Sequence, residues 1–135
     1  MKLDGQVAII TGAGSGIGYA IAQMFAKEGA RVVVAEIDVE AGEAAVASLR
    51  GAGLVASFYP TDVTNRQSVQ AMVDATLQDY GRIDILVNNA GLAIIGPSET
   101  FAEEDWRKSI EVMQTGVFFC SQAAGQVMIR QQSGN

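Results

Sequence analysis

The sequence predicts an α/β fold built on a doubly wound parallel sheet. Short β-branched runs alternate with segments whose apolar residues recur at helical spacing, in the order βαβαβαβα. The runs carry apolar residues on both faces, as expected for strands that helices cover on both sides, and this is typical of parallel sheets. Right-handed crossovers and a switch of direction after the third strand then predict the strand order 3-2-1-4.

Four apolar runs are the predicted strands, and turn residues bound them. They occupy residues 7–10, 32–34, 54–59 and 83–87. The first runs into a glycine-rich turn, and the third into a loop that contains Pro60. Glycine and proline at these positions favour a turn over a continued strand.

Each predicted strand is followed by a predicted helix. The first carries Ile17 and Ile21 on its apolar stripe and ends at Gly29, and the second covers 39–49 behind Asp38, the expected N-cap. The remaining two are a third helix whose apolar face lies within 69–80 and a long helix at 103–130, before a polar tail at 131–135. No linker or internal repeat interrupts the series, so residues 1–135 are expected to form one Rossmann-type domain.

Composition and charge exclude several function classes. Nine basic against fifteen acidic residues give a net charge of −6, and such a surface repels phosphate backbones, so no nucleic-acid partner is expected. The absence of histidine excludes a Ser-His-Asp triad and an HExxH zinc site, and no metal is expected. The lone Cys120 favours a reducing, cytoplasmic compartment. With no signal peptide and no long apolar stretch in this sequence, no membrane association is expected.

A doubly wound sheet normally continues beyond its fourth strand. Strands five onward are absent from this sequence, and the strand at 83–87 would leave an apolar edge, which proteins usually cover. We therefore expect either a longer chain or a partner that supplies the missing half.

A glycine-rich turn, TGAGSGIG at 11–18, joins the first strand to the first helix. Glycine permits a tight turn close to a ligand, and the helix behind it presents free amides and its positive dipole end to an anion. No lysine follows, which excludes a P-loop, and Ile17 occupies the position that the last glycine of GxGxxG would need. Two patterns fit: GxxxGxG through Gly12, Gly16 and Gly18, and GxGxG through Gly12, Gly14 and Gly16, which suits S-adenosylmethionine.

Glu36 follows the second predicted strand, at the edge of the sheet where the ligand is expected. A carboxylate in this position accepts hydrogen bonds from both ribose hydroxyls and repels a 2′-phosphate. Neither Ser15 nor Ile37 supplies a cation that could hold such a phosphate. The sequence therefore favours NAD over NADP.

Three motifs, taken in order, resemble the short-chain dehydrogenase/reductase family. They are the glycine turn at 11–18, Asp62-Val63 after the third strand, and Asn88-Asn89-Ala90-Gly91 after the fourth. The resemblance covers essentially the whole chain, and its last motif favours this family over a methyltransferase. It implies hydride transfer between a nicotinamide and a secondary alcohol or ketone.

The resemblance also implies roles for the residues of the glycine turn. Gly12, Gly16 and Gly18, together with the amides of Ser15 and Ile17, would hold the pyrophosphate and the adenosine ribose.

The residues that follow strands two and three would hold the adenosine. By resemblance, Glu36 would bind the ribose hydroxyls, Asp62 the adenine amino group, and the Val63 amide a ring nitrogen. An ordinary Asx-turn is the structural alternative for Asp62.

The motif after strand four has two implied roles. Asn88 would brace the sheet through hydrogen bonds from its side chain to the backbone, whereas Asn89 and Ala90 would line the nicotinamide ribose. Gly91 completes the motif and is counted with the cofactor-binding residues.

The sequence departs from the family pattern at the acid/base. The family uses a Tyr whose pKa is lowered by a Lys four residues later, because a free phenol is a poor base at neutral pH. The three tyrosines here are followed at that distance by Gln23, Val63 and Asp84, so no catalytic residue is assigned. The chain is expected to carry the cofactor site alone, and a non-catalytic dinucleotide-binding module remains an alternative.

The long helix at 103–130 departs from the family pattern in a second way. Met113 replaces the Asn that family members use for a proton relay, so a relay would have to pass through water or Thr115. Filling of apolar space is the structural interpretation of Met113, and it is compatible with the first. The helix is apolar around much of its circumference, and family members pair such helices across a two-fold axis. A homodimer or homotetramer through this helix is expected, with Cys120 as a buried small apolar residue.

Overall fold

Four parallel strands form the centre of the chain, and the computed structural model describes all residues from 1 to 135. The strands are β1 Val7–Thr11, β2 Arg31–Glu36, β3 Ala56–Pro60 and β4 Ile85–Val87. Their order is β3-β2-β1-β4, which confirms the predicted order 3-2-1-4. β1 lies between β2 and β4, with Ile9 opposite both Val33 and Leu86.

Helices connect the strands and cover both faces of the sheet. They are α1 Gly16–Lys27, α2 Val39–Gly51, α3 Arg66–Tyr80, a 3-10 turn Ser98–Thr100, α4 Glu103–Ile110 and α5 Gly116–Gln131. The predicted N-cap of α2 is confirmed, because the Asp38 carboxylate accepts a hydrogen bond from the Ala41 amide at 3.0 Å. Gly81 ends α3 in the left-handed region, with φ of +74°.

Alternate residues of the central strands point into two separate apolar cores. Ile10 and Val34 pack with residues of α1 and α2, whereas Ile9 and Val33 pack with residues of α3 and α5. Strand side chains alternate between the two faces of a sheet, so strands that are buried on both sides must be apolar at every position. Cys120 belongs to the second core and is fully buried, as predicted.

Three of the differences from the predicted element boundaries have an identifiable local cause. Leu54 donates its amide to the Leu49 carbonyl, so it closes α2 and does not start β3. The backbone of Ile83 is hydrogen-bonded by the Gln131 side chain, with distances of 3.0 and 2.7 Å, and β4 begins only at Ile85. The helix predicted at 103–130 is interrupted by a π-helical turn, Glu111–Thr115.

The outer edge of β4 carries one further backbone pairing. Asn135 donates its amide to the Asp84 carbonyl at 2.8 Å and accepts from the Leu86 amide at 3.0 Å. None of the helices is both long enough and apolar enough to cross a lipid bilayer.

Candidate cofactor-binding site

A cavity of about 550 Å³ opens at the carboxyl ends of the strands. Its volume falls within the range of roughly 300–1,000 Å³ that small-molecule sites occupy. Parallel α/β sheets bind ligands at this end, where the strand order reverses. Eight of the predicted site residues line the cavity: Gly12, Ser15, Glu36, Asp62, Val63, Asn89, Ala90 and Gly91.

The glycine turn packs directly against the loop that follows β4. Gly12 has a φ of +65°, and a Cβ there would lie 2.9 Å from the Cα of Ala90. A Cβ on Gly18 would lie 2.5 Å from Nδ2 of Asn89 and would collide with the carbonyl oxygen of Gly12. These two glycines are therefore needed for the close approach of two backbone segments.

The N-terminus of α1 is open at the rim of the cavity. The N-cap, Ser15, makes no side-chain hydrogen bond to the first turn, and that turn holds no acidic residue. The first amides of a helix have no intrahelical acceptor, so those of Gly16, Ile17 and Gly18 carry their partial positive charge without a capping partner. Gly16 and Ile17 are exposed outside the cavity, whereas Gly18 is buried beneath the turn.

The Glu36 carboxylate is held at the junction of β2 and the glycine turn. Its Oε2 accepts a hydrogen bond from the Gly14 amide at 3.0 Å, and its Oε1 accepts from the amides of Ile37 at 3.0 Å and Asp38 at 3.2 Å. A Cβ on Gly14 would lie 2.8 Å from Cγ of Glu36. Gly14 is therefore a site residue that the prediction used only for the methyltransferase alternative.

Asp62 and Val63 form the wall of the cavity beyond β3. Asp62 Oδ1 accepts from the amide of Thr64 at 2.9 Å and from its hydroxyl at 2.7 Å, which is the Asx-turn expected as the structural alternative. The side chain still lines the cavity, so the turn orients the carboxylate. The Val63 side chain packs against Gly116, where a Cβ would lie only 2.7 Å from Cγ2 of Val63.

The contacts of the two asparagines after β4 differ in part from those expected, although Asn89 lines the cavity. Asn89 Nδ2 donates to the carbonyls of Thr11 at 2.9 Å and Gly12 at 3.2 Å, whereas Asn88 Nδ2 donates to the Ser121 hydroxyl at 3.0 Å. The expectation that Asn88 braces the sheet is wrong, and Asn89 holds β1 to the loop. Successive side chains leave an extended backbone on opposite sides, so only one of two adjacent asparagines can reach back to β1.

Thr11 connects the same two segments and was missed by the sequence reasoning. Its buried hydroxyl accepts from the amides of Asn89 at 3.0 Å and Ala90 at 2.9 Å, and donates to the Val87 carbonyl at 3.3 Å. A polar residue at the end of an otherwise apolar strand was the available signal.

The cavity also receives side chains from α4 and the π-helical turn. Lys108, Glu111 and Val112 line it, although no sequence motif marks them. Met113 is 50% exposed, so only part of its side chain is covered by apolar neighbours in this chain. It lies close to Gly91, since a Cβ on that glycine would be 3.8 Å from Cγ of Met113.

None of the three tyrosines lines the cavity. Burial, together with the neighbouring Asp79 carboxylate, raises the pKa of Tyr59, which is opposite to what a general base needs. The hydroxyl of Tyr19 is hydrogen-bonded to Ser48, and that of Tyr80 to Ser57. These contacts join elements of the fold, in agreement with the absence of an assigned catalytic residue.

An open helix terminus, a glycine turn and a carboxylate at the end of β2 are the features typical of Rossmann-type folds. The sequence profile described as short chain dehydrogenase matches residues 6–135. The chain belongs to the short-chain dehydrogenase family.

Several relatives match over nearly the whole chain. D-threitol dehydrogenase of Mycolicibacterium smegmatis is 41% identical over 98% of the chain, and a 3-oxoacyl-[acyl-carrier-protein] reductase of Thermotoga maritima is 40% identical over 100% of it. The crystal structure of an NAD⁺-bound xylitol dehydrogenase matches 99% of the chain with a TM-score of 0.95 and 36% identity. The chain spans about half the length of these proteins, between 51% and 55%.

Proposed function

We propose that the chain forms the NAD-binding part of an oxidoreductase that transfers a hydride between a nicotinamide and a secondary alcohol or ketone. The observation that carries this proposal is the Glu36 carboxylate, which lines the same cavity as the glycine turn and is oriented by three backbone amides. Bound nicotinamide would supply the hydride donor or acceptor. The related xylitol dehydrogenase structure, which holds NAD⁺, supports the same cofactor class.

The predicted site residues divide into three groups around such a cofactor. The uncapped amides of α1 suit the pyrophosphate, because a helix N-terminus carries partial positive charge. Glu36 suits the ribose hydroxyls, and Asp62 and the amide of Val63 suit the adenine. Neither the backbone nor a side chain of the protein accepts a hydrogen bond from the Val63 amide, which leaves it free for a ring nitrogen. The remaining group, on the nicotinamide side, comprises Asn89, Ala90 and Gly91, whereas Asn88 lies behind it and is hydrogen-bonded to Ser121.

The preference for NAD over NADP rests on the charge at the end of β2. Glu36 would repel a 2′-phosphate, and its neighbour Ile37 is an exposed apolar residue with no cation to offset that repulsion. Hydrogen bonds to a charged acceptor contribute about 1.5–3 kcal/mol. Loss of the ribose contacts should therefore weaken NADH binding by roughly 10- to 100-fold.

Charge reversal at Glu36 tests the proposal. Glu36→Arg should weaken NADH binding and strengthen NADPH binding, measured by calorimetric titration of the purified protein with each cofactor. Glu40→Arg is the matched control, since it makes the same charge change in the exposed first turn of α2. Equal NADH affinities before and after the Glu36 change would reject Glu36 as the ribose ligand. Preferential binding of S-adenosylmethionine would favour the methyltransferase alternative instead.

The alternative of a non-catalytic dinucleotide-binding module is favoured by one observation. No tyrosine in the chain is followed by a lysine four residues later, and none lines the cavity. Such a module would bind NADH without turning over any alcohol or ketone even in the complete protein, so a binding assay paired with a turnover assay on the complete protein separates the two functions.

We also propose that the helix at 103–130 forms an interface in a homodimer or homotetramer. Trp106, Phe118 and Ile129 are large apolar residues with exposures of 59%, 53% and 77%. Phe118→Glu should shift the molar mass measured by light scattering toward the monomer. The cytoplasmic location and the absence of a nucleic-acid partner stay predictions.

A further inference from the structure

The cavity contains one basic side chain among its lining residues. That residue is Lys108, on α4, whereas three carboxylates line the same cavity: Glu36, Asp62 and Glu111. At neutral pH the lining therefore carries a formal net charge of −2, in a protein whose own net charge is −6. A cavity of this charge repels an anionic ligand unless a cation and oriented amides offset the repulsion.

Two of the three cavity carboxylates are already hydrogen-bonded within the protein, whereas Glu111 and Lys108 are in neither of its ion pairs. Glu36 accepts three backbone hydrogen bonds, and Asp62 accepts two from Thr64. The neighbouring Arg107 is paired with Glu103 at 2.7 Å. The two ion pairs of the protein are this one and Arg82–Asp84, so the Lys108 ammonium is free to meet a ligand.

We infer that Lys108 is a further cofactor-binding residue whose ammonium pairs with the pyrophosphate of the bound dinucleotide. This inference rests on the proposed function. The pyrophosphate carries two negative charges, and the N-terminus of α1 supplies only partial charges and hydrogen-bond donors to it. Lys108, on α4, supplies the full positive charge that the N-terminus of α1 lacks.

Lys108→Gln tests this role because it removes the charge and keeps a side chain of similar length. NADH, ADP-ribose and adenosine would be titrated into the purified protein at about 0.02 M and about 0.5 M salt. At low salt, the affinities for NADH and ADP-ribose should fall about fivefold, which is the size expected of one partly exposed ion pair. The affinity for adenosine should not change, and the loss should shrink at high salt. Lys108→Arg should retain most of the affinity.

Arg107→Gln is the matched control, because it removes one positive charge from the adjacent position of the same helix outside the cavity. Its affinity for NADH should equal that of the unmodified protein. Unchanged NADH affinity in Lys108→Gln would overturn the inference, and so would an equal loss of affinity for adenosine. Failure of the unmodified protein to bind NADH would refute the proposed function itself. The titration of NADH into the unmodified protein therefore distinguishes this failure from failure of the inference about Lys108.

Discussion

Replacement of Gly18 by alanine tests the packing on which the cavity depends. A Cβ at this position would collide with the Gly12 carbonyl oxygen and lie 2.5 Å from Nδ2 of Asn89. The carbonyl cannot move away freely, because Asn89 donates to it at 3.2 Å and also to the Thr11 carbonyl. The substitution should therefore push the glycine turn away from the loop after β4.

The expected change in the free energy of unfolding of Gly18→Ala is the difference between two opposing contributions. Alanine is favoured over glycine in a helix by about 1 kcal/mol. Overpacking a well-filled site costs typically about 1–3 kcal/mol, and a rigid backbone neighbour places Gly18→Ala at the upper end. We expect the free energy of unfolding to fall by about 2 kcal/mol and NADH affinity to fall by at least about tenfold.

Gly125→Ala is the matched control for helix propensity. Gly125 lies inside α5, and a Cβ there would meet no atom within 4 Å. This variant should gain up to about 1 kcal/mol, so urea unfolding should separate the two variants by about 3 kcal/mol. If Gly18→Ala proves as stable as Gly125→Ala, the close approach of the two segments is not what holds the site.

Three further substitutions or measurements test other parts of the structure. Thr11→Val removes the acceptor of two loop amides and should lower the free energy of unfolding, measured by urea titration, by about 2–4 kcal/mol. Thr76→Val is the control, because the Thr76 hydroxyl only donates to a carbonyl one helical turn away, and it should cost at most about 1 kcal/mol. Asp38→Ala removes the N-cap of α2 and should lower the melting temperature by an amount equivalent to about 1 kcal/mol, and a loss no larger than that of an exposed substitution would contradict the cap. Burial raises the pKa of the Cys120 thiol to about 11 from an ordinary value of 9.0, so the unfolded chain ionises first and stability should fall as the pH rises through this interval. Cys120→Ala should flatten that pH dependence. Native protein should also react with iodoacetamide far more slowly than unfolded protein, and equal alkylation rates would argue against burial of Cys120.

Patterns that extend over a whole element were sufficient to predict the fold. The apolar run that became β1 is buried at every residue, and the apolar face predicted within 69–80 lies in α3. Strand order also followed from the sequence, because alternating strands and helices with right-handed crossovers leave few arrangements. The position of Glu36 at the cavity was predictable, because it depends only on where β2 ends.

The contacts of a side chain were not predictable where a shift of one residue along the strand changes the direction in which the side chain points. Adjacent asparagines are equivalent in sequence, but only Asn89 points back toward Thr11. In the same way, the hydrogen bonds between the Gln131 side chain and the Ile83 backbone join residues far apart in the chain. They make β4 shorter than the predicted strand.

The sequence by itself determined the layered sheet, the glycine turn, the carboxylate beside it and the family resemblance, because each of these depends on local residue order and periodicity. Only the tertiary structure decided which residues of α4 reach the cavity, why Gly14 and Gly18 have no room for a side chain, and that Met113 is half exposed. These features depend on distances between elements that are remote in the chain, and local pattern carries no information about such distances.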